Sequence, residues 1–129
     1  MKINFPLRIV FAGALLLLIS SCATYYPSSE PRDLFGTWTN SLGTVWMIKE
    51  DGTFDADLNH DGKRDAWGNY IVSGDQITLI RVGGIKPRHC GGNAVYHFKR
   101  VDFDTLQFTL VHDRCTLRKK NVLAGWKRQ

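Results

Sequence analysis

Apolar and polar positions divide the chain into three stretches. Ile9 to Ile19 is an unbroken run of apolar and small residues behind two cations, Lys2 and Arg8. Ala23 to Arg32 (ATYYPSSEPR) mixes Pro27 and Pro31 with hydroxyl and charged residues, shows no periodicity, and reads as a flexible tether. From Leu34 onward the pattern is strand, turn, strand.

Short apolar or alternating runs predict strands at 35–39, 44–50, 53–57, 67–72 and 76–82, and again at 94–101, 106–111 and 123–128. Asp51-Gly52 is a strong hairpin signal between the second and third of these. Leu58 to Asp65 is a polar loop. Gly83 to Gly92, with four glycines and Pro87, reads as an exposed loop, and Thr116 to Asn121 is ambiguous. About eight short strands without a convincing helix predict an all-β fold, an antiparallel up-and-down barrel or a compact sandwich. Closure into a barrel is favoured because it removes exposed strand edges.

The apolar run is too short to span a bilayer, which takes roughly 20 residues, and fits a cleaved leader better. Ile19-Ser20-Ser21-Cys22 closes it with an aliphatic residue, two small ones and a cysteine. This resembles the lipobox of bacterial lipoprotein signal peptides. The resemblance implies cleavage after Ser21 and acylation of Cys22. No aspartate follows at Ala23 or Thr24, so by the same resemblance the expected location is the periplasmic face of the outer membrane. The implied organisation is a signal peptide over 1–21, a lipidated cysteine and tether over 22–32, and one domain over 33–129.

With Cys22 acylated, Cys90 and Cys115 are the remaining pair in an oxidising compartment, and a disulfide between them is expected. Closing a loop of that length adds on the order of 3 kcal/mol by the chain-entropy model. A redox-active or metal-binding pair is the weaker reading, because neither residue lies in a Cys-x-x-Cys. The chain carries a formal net charge of +5, and removing Lys2 and Arg8 with the leader leaves +3. Basic residues gather late, at Arg114, Arg118, Lys119, Lys120, Lys127 and Arg128. They read either as a solvated face or as a patch for anionic lipid headgroups. Nucleic acid is not an expected partner in that compartment, and a monomer is expected.

Leu34-Phe35-Gly36-Thr37-Trp38 opens the domain and Leu123-Ala124-Gly125-Trp126-Lys127-Arg128 ends it. The first segment resembles the Gly-x-Trp signature of the lipocalin and lipocalin-like families, in which glycine and tryptophan sit at the closed end of the barrel. The resemblance implies that a late basic residue, Arg128 or Lys127, packs across Trp38, a contact worth about 1–2 kcal/mol when desolvated. Leu106 to Cys115, with Asp113 two residues before Cys115 and Arg118 beyond it, is similar to small bacterial domains of this kind, in which such a cysteine pairs with an earlier one.

Asp57, Asn59, Asp61 and Asp65, with Gly62 at the sixth position, match the first nine positions of an EF-hand-type loop and form the candidate calcium set. Position twelve is Gly68 rather than glutamate, so Asp55 or water would have to complete the shell, and a polar turn is the competing reading. The histidines are dispersed, although His97 and His112 lie on adjacent strands. No nucleophile motif or phosphate loop is present, and an enzyme is not expected. Trp46, Trp67, Tyr70, Tyr96, Phe98 and Phe108 either fill the barrel or line a pocket. The expected function is binding of a small apolar or amphipathic molecule in the barrel mouth near the membrane, with the Gly83–Gly92 loop as rim. The alternatives are a protein-interaction module such as a periplasmic protease inhibitor, and a calcium-stabilised envelope protein.

Overall fold

The computed structural model describes Cys22 and residues 24–129, so the leader over 1–21 lies outside the described residues. Eight strands follow one another: β1 (Gly36–Asn40), β2 (Val45–Ile48), β3 (Thr53–Asp57), β4 (Ala66–Ser73), β5 (Gln76–Gly84), β6 (Ala94–Arg100), β7 (Thr105–His112) and β8 (Trp126–Arg128). A helix, α1 (Thr116–Val122), intervenes before β8. Each strand pairs antiparallel with the next, and β8 pairs back onto β1, which closes the barrel.

Alternation along the strands decides what fills it. Trp38, Trp46 and Ile48 point inward from β1 and β2, Phe54 and Tyr70 from β3 and β4, and Ile77 and Leu79 from β5. Ala94, Tyr96, Phe98, Leu106, Phe108 and Trp126 complete the core. The interior is therefore largely solid. Trp46 alone meets Phe54, Phe108 and Trp126 at ring-centroid distances of 6.2, 5.3 and 5.1 Å. Trp67, expected to fill the barrel or line a pocket, lies outside, beneath the Arg64 guanidinium at 4.0 Å and against Gly83. Leu110, late in β7, is exposed. Leu110 pairs with Tyr96 beside a register shift between Val95 and Tyr96.

The end that carries the β2–β3, β4–β5 and β6–β7 turns is sealed. Trp38 is fully buried there and donates its indole N–H to the Leu34 carbonyl at 2.8 Å. The Arg128 guanidinium stacks over the Trp38 ring at 4.5 Å and donates to the Phe35 carbonyl at 3.3 Å. Of the two basic residues expected there, Arg128 makes the contact and Lys127 points outward to Thr105. Gly36 makes room for it: a Cβ there would lie 2.5 Å from an Arg128 nitrogen, and its φ is +133°.

The chain before β1 is part of this seal. Ser28 bridges to Arg100 in both directions, N–H to carbonyl, at 3.1 and 2.8 Å. Asp33 accepts from the Ser28 hydroxyl at 2.6 Å and from the Glu30 N–H at 2.7 Å, fixing a 3-10 turn over Pro31–Asp33. Tyr25 packs edge-on against Phe103 with centroids 4.6 Å apart. The latter part of the stretch read as tether is thus held on the barrel.

Thr116 to Val122 is helical where the sequence predicts no convincing helix, and the closing strand shortens to three residues because Gly125, at φ +74°, makes the return from α1. Gly83 and Gly84 belong to β5 rather than to the loop.

Two glycines, Gly68 and Gly84, are required by backbone proximity. At the β4–β5 register shift, a Cβ on Gly68 would lie 2.0 Å from the Ile80 carbonyl oxygen. Gly74 has nothing within 4 Å of its added Cβ, and only its φ of +59° resists substitution. Gly68→Ala is expected to cost about 3 kcal/mol or more, because two strands must separate. Gly74→Ala is expected to cost about 1–2 kcal/mol. Urea unfolding of the two variants checks the order.

Candidate functional site

The opposite end carries the β1–β2 turn, the long β3–β4 and β5–β6 loops, and α1. Their placement follows from one carboxylate. Asp113 is buried just after β7 and accepts from Arg118 Nε at 2.8 Å and Nη2 at 2.7 Å, and from the Cys115 N–H at 2.8 Å. The Tyr96 hydroxyl, rising from the core, donates to it as well. Arg118 also donates to the Gly92 carbonyl at 3.0 Å, which ties α1 to the β5–β6 loop.

The Cys90–Cys115 disulfide makes the same connection covalently, so the expected pairing is present. Cys115 is also the helix N-cap, its sulfur accepting from the Arg118 N–H at 3.4 Å. On the far side of the mouth, Asn121 accepts from the Thr44 hydroxyl, and its carbonyl accepts from the Asn40 amide at 3.1 Å. Trp126 donates its indole N–H to the Val122 carbonyl at 2.9 Å. The short helix is thereby moored at both ends.

Beneath it lies a cavity of about 100 Å³. Its floor is Trp46, Phe54, Leu79 and Trp126, and its walls are Ala56, Leu58 and Ala66. Ile85, Pro87 and the disulfide form one side of the rim, and Leu117 and Val122 of α1 form the other. Thr44, Asn121, Arg118 and Arg81 are its polar margin. Thr44 and Asn121 bond each other and Arg118 is committed to Asp113, so no nucleophile and base open into it together. The volume is about two thirds of the roughly 150 Å³ apolar cavity known to admit benzene, and below the 300–1,000 Å³ usual for whole ligands. It has room for no more than the end of an apolar group.

The acidic loop folds as a turn. Asp57 accepts from the N–H groups of Asp61 at 3.2 Å and Gly62 at 2.8 Å, Asp61 from Lys63 at 2.8 Å, and Asp65 from Leu58 at 2.7 Å. Asn59 bonds Asp61. Asp55 is held between Lys49 at 2.6 Å and Arg64 at 3.2 Å. Asp57 and Asn59 thus both turn a side-chain oxygen to the Asp61 N–H, and among the described residues no three His, Cys, Asp or Glu side chains converge as a metal-binding group. His97 and His112 do not meet: His97 is opposite Thr109 and His112 opposite Val95. Cys22 is exposed and unpaired, and Gly36, Trp38 and Arg128 sit at the other end of the barrel.

Sequence alone shows Asp113 and Arg118 close together, but not that Tyr96 meets them from across the core. The only local signal is that Asp113 directly follows a strand and precedes a cysteine by two residues. Arg81 gives no signal at all, because a cation near the end of a strand is ordinary.

Burial works to raise the pKa of Asp113, but the Arg118 fork, the Tyr96 hydroxyl and the Cys115 N–H outweigh it and hold the carboxyl below its ordinary 3.8. Burial and the Asp113 charge push the Tyr96 phenol up. A depressed carboxylate contributes stability above its unfolded pKa and loses it as pH falls through the folded value. Stability is therefore expected to decline as pH drops below about 4, and Asp113→Asn is expected to flatten that decline. At neutral pH the same substitution leaves Arg118 unpaired and is expected to cost about 3–5 kcal/mol. Denaturant melts from pH 7 to pH 2 check both.

Compared with known proteins, the chain matches no family model, no curated protein and no solved structure.

Proposed function

We propose that this protein is a non-enzymatic lipoprotein, anchored through Cys22 on the periplasmic face of the outer membrane, that binds the apolar end of a small molecule in the mouth of its barrel. The observation that carries the binding reading is the cavity beneath α1, lined by Trp46, Phe54, Leu79 and Trp126 and walled by the disulfide. The anchoring reading rests on the lipobox-like Ile19-Ser20-Ser21-Cys22, on the exposure of Cys22, and on the oxidised pair that an exporting route allows.

The seal at the closed end bears on orientation. Tyr25 is fixed against Phe103, and only two residues separate it from Cys22, a reach of about 10 Å. A lipid on Cys22 would draw the closed end toward the bilayer. The mouth, at the other end, then opens away from that membrane, the reverse of the arrangement expected from sequence. Its ligand is thus a molecule in the aqueous space.

Enclosing about four methylene groups at ~0.8 kcal/mol each supplies about 3 kcal/mol, which corresponds to affinity on the order of millimolar for an uncharged chain. Titration of the oxidised mature protein with n-alkanols, followed by tryptophan fluorescence and methyl NMR, is expected to show saturable shifts at Leu79, Ile85 and Leu117. Affinity should rise with chain length up to about butanol or pentanol and then level off. Ala56→Leu, which fills the wall, should abolish the shifts without unfolding the domain. Shifts that never saturate, or an unchanged response in Ala56→Leu, would remove the binding reading. For orientation, a dye attached at Lys86 in the lipidated protein on vesicles should escape quenching by brominated lipid, whereas a dye at Asp102 should be quenched.

A further inference from the structure

Charge is distributed unevenly between the two ends of the barrel. Lys63, Lys86, Arg88, Arg114, Lys119 and Lys120 lie on the loops and helix of the open end, and among the described residues none of them has an ion-pair partner. The carboxylates at that end offset only part of this charge. Asp113 is held by Arg118, while Asp57, Asp61 and Asp65 accept main-chain N–H groups of their own loop, which position them without cancelling their charge. The surplus of these cations over Asp57, Asp61 and Asp65 leaves the mouth an apolar hole in a net positive field, which raises the local concentration of anions.

One cation differs from the others in being at the cavity and held in place. Arg81 lines it, near the end of β5, and donates Nε to the Ile85 carbonyl at 3.1 Å and Nη2 to the Gly84 carbonyl at 2.6 Å. These acceptors are neutral. They fix the plane of the guanidinium without cancelling its charge, and Nη1 has no partner among the described residues. The nearest acidic loop residue in sequence register, Asp65 before Ala66, turns its carboxylate to the Leu58 N–H. A positioned guanidinium with free donors at the edge of an apolar pocket is suited to a carboxylate or phosphate oxygen.

Resting on the binding reading above, we infer that the ligand is a free amphipathic anion, with an apolar end of about four carbons between Trp46, Phe54 and Trp126 and its carboxylate or phosphate at Arg81. Arg81 sets the charge preference, and the surrounding lysines contribute the long-range field. The cavity sets the length of the apolar end. A bilayer lipid is not the occupant, because its chains exceed the cavity and the anchor points the mouth away from the membrane.

The test compares hexanoate, hexanol and hexylammonium, three chains of equal length and different charge, on the oxidised mature protein by calorimetry and methyl NMR. Hexanoate is expected to bind at least tenfold more tightly than hexanol, and hexylammonium more weakly than either. Arg81→Gln should remove the preference for hexanoate while hexanol still binds, which also shows that the variant is folded. Arg81→Lys should retain part of the preference. Lys120→Gln, exposed and off the cavity, should retain nearly all of it. Equal binding of hexanoate and hexanol would overturn the anion assignment and leave the apolar site standing, and failure of all three to bind would remove the binding reading itself. Binding of phosphatidylglycerol vesicles in place of hexanoate would overturn the assignment to a free anion.

Discussion

Closure of this barrel depends on three residues. β8 pairs with β1 through Trp38–Arg128, Thr39–Lys127 and Asn40–Trp126, and with β7 through only two further pairs. So short a strand contributes few ladder hydrogen bonds, and its side chains do most of the holding. Trp126 is packed against Trp46 in the core, and Arg128 lies across Trp38 in the space left by Gly36. A tryptophan at one end of the strand and an arginine at the other convert a marginal edge into a seam, and a sheet without a seam would present two open edges.

The same strand joins the two ends of the molecule. Its tryptophan is part of the cavity floor and bonds the last turn of α1, while its arginine belongs to the sealed end with Leu34 and the docked lead-in segment. The ends are built on different physics. The sealed end is apolar packing with cation–π and main-chain contacts. The open end is organised by a buried ion pair, Asp113–Arg118, supported by Tyr96 and by the disulfide. Buried ion pairs are costly unless all their hydrogen-bonding groups are met. Here Asp113 receives both guanidinium bonds, a phenol and an amide, which fixes where the helix sits.

Much of this was legible in the sequence because it is local. The period-two alternation, the Asp51-Gly52 turn and the spacing of turn residues locate all eight strands, and the resemblance of Gly36 and Trp38 to a Gly-x-Trp signature implies the sealed end, with Arg128 or Lys127 across it. The ladder confirms a closed barrel over the sandwich alternative. What was not legible depends on position in three dimensions. Seven residues from Thr116 to Val122 have no strong helical periodicity of their own, and they form a helix because Cys115 is tied down and Arg118 is drawn to Asp113. The acidic loop carries the ligand spacing of a calcium site, yet its carboxylates satisfy their own backbone. Arg81 acquires meaning only once the cavity is beside it. A solid barrel and a hollow one share the same aromatic content, and only packing distinguishes them.

Cys115 caps a helix, walls a cavity and ends a disulfide, so the three cannot form independently. The disulfide ties down the lid over the cavity together with the Asp113–Arg118 pair and the Thr44–Asn121 bond. Breaking that one covalent bond would therefore loosen the helix cap, the cavity wall and the tie to the β5–β6 loop together.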